Sequence, residues 1–291
     1  MSVTPPFSLE LMGDKEVHTK KIGDFASRRG SHLDALSSIE EAIRKASPLP
    51  ISYDVSRTQS GYFGEYTYTE FLGDGVLIQP QSSEAAARQV ALSLDEDVRV
   101  EYFPSPRDKY ALNPADRLPK AVAFLPGTNL LKDEFISREA LARAMWEDPE
   151  LVIKPHPLTE LEQVKSFARE FGYHRVLGHE TSGVQALQAA ERIYCSSSTE
   201  LGLYAVATGK PISNLGNFYV EGQGTYASIY RLLWGQTKGE AKDRLLRILN
   251  SFNGGFIYLG DKRAQRKIET YFQNSMHIRE QLRPLVPVRK K

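Results

Sequence analysis

The chain of 291 residues has a single cysteine, Cys195, so it can build neither an internal disulfide framework nor a cysteine-based zinc site. It has no excess of either charge. Lys and Arg number 37 against 36 Asp and Glu, a net +1, so no overall basic field draws it to nucleic acid. No apolar run approaches the roughly 20 residues of a membrane-crossing helix; Ala121–Leu125 is typical of the longest. The start, Met1-Ser-Val-Thr-Pro-Pro6, lacks the basic and apolar regions of a secretory signal. Internal repeats and low-complexity tracts are missing too. With 41% hydrophobic and 25% charged residues, the reading is a soluble cytoplasmic protein of two domains.

The clearest order lies between about 119 and 216. Short apolar runs at Ala121–Leu125, Leu151–Ile153, Arg175–Leu177, Arg192–Tyr194 and Pro211–Leu215 read as buried strands. Helical spacing separates them at Ser137–Trp146, at Leu161, Val164, Phe167 and Ala168, at Val184–Ala190, and at Leu201–Thr208. This alternation predicts a parallel sheet with right-handed crossovers, a Rossmann-like half whose ligands meet the loops at the carboxyl ends of the strands. Earlier in the chain, Leu33–Lys45 and Glu84–Leu92 read as helices, and Val76–Ile78 and Val98–Phe103 as strands. Pro104–Pro119, with four prolines, reads as a connection. Lys242–Leu249 and Arg263–Phe272 read as amphipathic helices.

Three strand-end clusters could carry chemistry. Lys154-Pro-His-Pro157 follows a strand, and its prolines stiffen the loop, so His156 with Lys154 beside it suits a phosphate. A turn histidine is the plain alternative. Ser196, Ser197, Ser198 and Thr199 follow another strand and precede a helix, whose N–H groups and dipole favour an anion. Capping alone accounts for one or two of the four hydroxyls. Gly127 and Thr128 face the same edge, but their loop has neither a dinucleotide fingerprint nor a Walker pattern. Glu221, in the glycine-rich stretch 216–224, is a candidate for ribose hydroxyls. Asp74, between Gly73 and Gly75, is either a turn residue or a general base. The aromatic and acidic residues around it read as a sugar-binding loop, with Glu65, Glu70 and Tyr66 as acceptor-side candidates. No metal site is read in the chain.

The order Asp-Gly, His-Pro, serine run, Gly-Lys-Pro resembles the bacterial sialyltransferases of GT-B architecture. The stretch Ala121–Gly216 also resembles the donor half of capsule-polysaccharide Kdo transferases and of teichoic-acid glycerophosphotransferases. Tyr194–Pro211 in particular is similar to their phosphate-binding strand, loop and helix. The resemblance implies an α/β, GT-B-like fold of two Rossmann-like domains facing each other across a cleft. Residues 1–115 would be the acceptor-side domain, 116–260 the nucleotide-sugar-binding domain, and 261–291 a C-terminal helix with a basic tail. It further implies that His156, Ser197 and Ser198, with Ser196 and Thr199, hold the donor phosphate, and that Asp74 is the catalytic base. Gly73 stands where the motif has its first acid.

The expected function is transfer of a sugar from a nucleotide-activated donor to a glycan or glycolipid hydroxyl, by an inverting, metal-independent enzyme that needs no cofactor. A CMP-sugar of sialic acid or Kdo type is the first donor and a UDP-sugar the second. One alternative is a phage-type enzyme glycosylating a DNA base, with Lys20, Lys21, Arg28 and Arg29 as its basic cluster; the net charge disfavours it. Another is a non-catalytic nucleotide-sugar or glycan-binding module. The basic tail Arg283–Lys291 would give at most weak attachment to the inner membrane face.

Overall fold

The computed structural model describes residues 30–49, 51–53, 67–72, 75–80, 83–106, 108, 112–115, 117–128, 131, 136–157, 159–196, 199–216 and 224–283. In chain order these form α1 (Gly30–Ala46), β1 (Ile51–Tyr53), β2 (Thr67–Leu72), β3 (Gly75–Gln79), α2 (Ser83–Asp95) and β4 (Ala121–Phe124). Then come α3 (Arg138–Glu147), β5 (Leu151–Lys154), α4 (Leu161–Phe171), α5 (Gly183–Ala189), β6 (Arg192–Cys195) and α6 (Glu200–Ala207). The last elements are β7 (Ile212–Asn214), α7 (Gly224–Leu233), α8 (Lys238–Asn250), β8 (Phe256–Tyr258) and α9 (Ala264–Leu282). Among the described residues no helix is long and apolar enough to cross a membrane.

Two compact units divide the chain. One is built on Pro104–Phe218 with Trp234–Lys242, the other on Ala35–Phe103, Tyr219–Leu233 and Asp243–Lys291. The division is therefore not made at one point near residue 115: Tyr219–Leu233 and Asp243–Lys291 return to the unit that holds β1, β2 and β3, while Trp234–Lys242 stays with the other.

In the first unit β5, β4, β6 and β7 lie side by side in that order, all parallel. The third strand expected at Arg175–Leu177 shrinks to one parallel bridge, Ile153 to Val176, on the outer side of β5. A 3-10 turn at Tyr173–Arg175 takes up the residues before it, so only Val176 reaches the ladder. Counted with that bridge the order is 3-2-1-4-5, a doubly wound sheet whose order reverses between β4 and β6. The runs Ala121–Phe124 and Leu151–Lys154 are buried throughout, as strands covered on both faces must be. Ala121, Ala123, Leu151 and Ile153 share one core with Leu141, Ala144 and Met145 of α3 and Phe167 of α4. Leu161, expected on that inner face, opens α4 and is exposed. The intervening residues point to the opposite face, where α5 and α6 pack against β4, β6 and β7. Ser137 caps α3 by accepting from Ala140 N at 3.1 Å.

The amino-terminal edge of this sheet is held by charge. Arg192 donates to both carboxylate oxygens of Asp148, at 3.0 and 3.1 Å, and Lys120 pairs with Glu150 at 3.0 Å. Arg175 reaches the carbonyls of Asp148 (2.6 Å) and Leu151 (3.0 Å). Burial raises the Asp148 carboxyl, but the Arg192 guanidinium, the Glu150 N–H and Tyr194 outweigh it and hold the group below its ordinary range.

The second unit has a mixed sheet in the order β1-β2-β3-β8, with β1 and β2 parallel and the other two pairings antiparallel. This departs from the parallel sheet that a second Rossmann-like domain would have. The strand expected at Val98–Phe103 does not form. Its backbone meets a side chain instead: Asn250 Oδ1 accepts from Glu101 N (3.0 Å) and Tyr102 N (2.7 Å), and Asn250 Nδ2 donates to Tyr102 O (2.9 Å). One amide satisfies the groups that a neighbouring strand would otherwise pair. Tyr102 then stacks on Phe256 and Tyr258 of β8, with each pair of ring centroids 4.7 Å apart.

Candidate functional site

The register of the parallel sheet places Phe124, Lys154, Cys195 and Asn214 in one row. The loops that follow them therefore leave the same edge. The reversal between β4 and β6 is where doubly wound sheets open a crevice for ligands. Gly127 and Thr128 stand on the β4 side of it, and Ser196 and Thr199 on the β6 side. His156 follows β5, the next strand along.

The His156 loop is anchored at both ends. Lys154 is 2% exposed, and its Nζ donates to Pro155 O and, at 3.1 Å, to His179 O. The ammonium expected beside a phosphate is thus occupied in holding two loops together. At the far end Thr159 N donates to His156 O at 2.9 Å. Glu160 N donates to Thr128 Oγ1 at 2.8 Å, and Thr128 Oγ1 donates to Gln163 Oε1 at 2.9 Å. Thr128, expected as a phosphate ligand, ties the β4 loop to the start of α4 with its one hydroxyl. His156 itself is half-buried.

The Ser196–Thr199 segment leads into α6. Ser196 is fully buried, and its carbonyl accepts from Thr199 N at 3.4 Å. Thr199 sits at the N-cap position, yet its side chain makes no capping hydrogen bond. Glu200, in the first turn of α6, receives the Tyr204 hydroxyl. Ser197, Ser198 and Glu221 lie outside the described residues.

Gly209-Lys-Pro211 serves the fold. Gly209, at φ 74°, ends α6 with its N–H on Val206 O (2.9 Å), while Lys210 N reaches Ala205 O (2.7 Å). Lys210 Nζ donates to Gln188 O (3.0 Å) and Ala190 O (2.5 Å), closing the end of α5 at the opposite edge of the sheet. Burial lowers this ammonium, as does the Lys238 charge, while Glu191 partly offsets both.

Of the acceptor-side candidates only Glu70 falls among the described residues. Asp74, Glu65 and Tyr66 lie outside the described residues. Glu70 belongs to β2 of the other unit, so the acidic and aromatic segment read as a loop is, over Thr67–Leu72, a strand. Its inward residues are Thr67 and Thr69, both buried, and they give no apolar alternation to betray it. β2 and β3 pair antiparallel with Leu72 opposite Gly75, and Gly73 and Asp74 connect them in sequence. A Cβ on Gly75 would lie 2.2 Å from Ile257 O, so packing against β8 accounts for that glycine.

Two features lie outside the sequence-based expectations. One is the triplet Asp95-Glu96-Asp97, an Asp-x-Asp sequence at the end of α2. The Glu96 carboxylate accepts from Ser251 Oγ (2.6 Å), Phe252 N (3.1 Å) and Asn253 Nδ2 (3.0 Å), so it folds a turn. The other is His179, whose carbonyl Lys154 grips. In the sequence it stands two residues after the predicted strand Arg175–Leu177. The chain matches no protein-family model, and no match is found among curated proteins.

Proposed function

We propose that this protein is a glycosyltransferase that binds the phosphate of a nucleotide-activated sugar at the carboxyl edge of the parallel sheet. The observation that carries the reading is that the loops after β5 and β6, which hold His156 and Ser196, leave one edge of the sheet beside the strand reversal, with Thr199 at the start of α6. A braced imidazole and a helix N-terminus are the groups that neutralise a phosphate without a metal. In this reading the first unit is the donor half of a GT-B-like enzyme. Its order of motifs resembles that of the sialyl- and Kdo-transferases, which makes a CMP-sugar the first donor and a UDP-sugar the second.

The acceptor hydroxyl oxygen attacks the anomeric carbon and gives its proton to Asp74. The bond from that carbon to the phosphate oxygen breaks, and the departing phosphate keeps the electron pair. His156 and the serine segment meet the charge. The acceptor is a glycan or glycolipid. A thermal-shift panel of CMP, CDP, UDP, GDP and TDP tests the donor half: stabilisation by CMP selects the first donor, by UDP alone the second, and by none sinks the reading.

A binding module without catalysis is the second reading. Gly73 and Asp74 connect two antiparallel strands, a common place for a turn aspartate, and Gly75 has a packing reason of its own. Hydrolysis of a donor sugar without acceptor separates the two, since a pure binder releases no nucleotide.

A further inference from the structure

Within the second unit α2 and α9 bring two buried polar side chains together. Ala85 of α2 packs with Ile278 and Leu282 of α9, and Arg88 Nη1 donates to Gln281 Oε1 at 2.9 Å on the exposed side of the seam. Gln89 lies one turn beyond Ala85, and Tyr271 two turns before Ile278, so each continues the inward stripe of its helix. Both residues are 1% exposed. Burial pushes the Tyr271 hydroxyl well above its ordinary range, and the Gln89 amide beside it offsets a part of that rise, so the two polar ends face one another. The Tyr271 ring is seated against β8's approach: a Cβ on Gly255 would lie 2.8 Å from its Cε2.

Facing ends do not bond directly here. Gln89 Oε1, Gln89 Nε2 and Tyr271 Oη are all shut off from solvent, and none has a hydrogen-bond partner in the protein. A buried donor or acceptor left in that state bears its full desolvation cost, and native interiors relieve it with ordered water where several such groups share a site. We propose that α2 and α9 bind an internal water between the Gln89 amide and the Tyr271 hydroxyl, which joins the two helices through hydrogen bonds that the side chains do not make to each other. The chemistry offered selects water. An amide and a hydroxyl are both neutral, and each can donate or accept, so a molecule that does both is matched at either end. The nearest charge along α9, Lys267, is already taken up by Asp261 at 3.3 Å and by the carbonyls of Leu249 and Phe256. The backbone beside Gln89 is satisfied as well, since Ser93 Oγ donates to Gln89 O at 2.8 Å.

The test uses the full chain. Tyr271→Phe removes one oxygen and keeps the ring on Gly255. With a bridging water the hydroxyl is satisfied, and its loss lowers the melting temperature by about 2–4 °C, the scale of one ordinary hydrogen bond in a chain of this size. An unpaired hydroxyl gives the opposite sign, because the same change then relieves a buried, unsatisfied group. High-resolution crystals of the wild-type protein locate the solvent itself: an oxygen is expected within about 3.2 Å of both Tyr271 Oη and one end of the Gln89 amide. A melting temperature that holds or rises in Tyr271→Phe overturns the inference. So does a wild-type crystal structure with no oxygen between the two side chains, a readout that stands even if the variant folds poorly.

Discussion

Replacing Asn250 by leucine isolates the device that holds Glu101–Tyr102 in place of a strand partner. The wild-type amide accepts from Glu101 N and Tyr102 N, and donates to Tyr102 O and, at 2.8 Å, to Leu246 O. Asn250 is 1% exposed and Tyr102 6%, so water cannot replace these bonds. Leucine keeps the branched shape, with methyls in place of the amide oxygen and nitrogen, and leaves the Tyr102 N–H and C=O buried without partners. At roughly 1–3 kcal/mol for each, less about 1–2 kcal/mol regained by burying the apolar side chain, the net loss is about 3 kcal/mol. Hydrogen exchange reads it locally: the Tyr102 amide should exchange about a hundredfold faster in N250L. An unchanged Tyr102 rate would refute the reasoning, because the segment would then be held by something other than this amide.

Two further perturbations probe the scaffold. The Asp148 carboxyl lies below its ordinary value, so its contribution is present at neutral pH and is lost as pH falls through the folded value, below about pH 4. Asp148→Asn should cost about 1 kcal/mol at pH 7, a figure kept low because Arg192 is 39% exposed, and should flatten the acid limb of melting temperature against pH. Superimposable acid limbs would contradict this. Gly75→Ala drives a methyl toward Ile257 O, and urea unfolding should show a loss of about 1–3 kcal/mol. A variant as stable as wild type would reopen the question of why glycine follows Asp74.

The parallel sheet was legible because strands buried on both faces read as unbroken apolar runs, as Ala121–Phe124 and Leu151–Lys154 do. What escaped depends on partners distant in sequence. β2 buries threonines, so its alternation is polar, and β8 is three residues long beside Gly254 and Gly255. Val98–Phe103 has the composition of a strand, but Asn250, far along the chain, takes its hydrogen bonds. At the candidate site the positions of His156, Ser196 and Thr199 were readable from strand ends. The commitments of Lys154 and Thr128 were not, since both depend on which loops the fold sets side by side.

The most direct test of the account is release of nucleotide from CMP- and UDP-sugars by wild type and His156→Ala. Wild type should turn over one of these donors, and the variant should lose that turnover while keeping its melting temperature. Wild-type-like turnover in His156→Ala, or none in wild type with either donor, would contradict it.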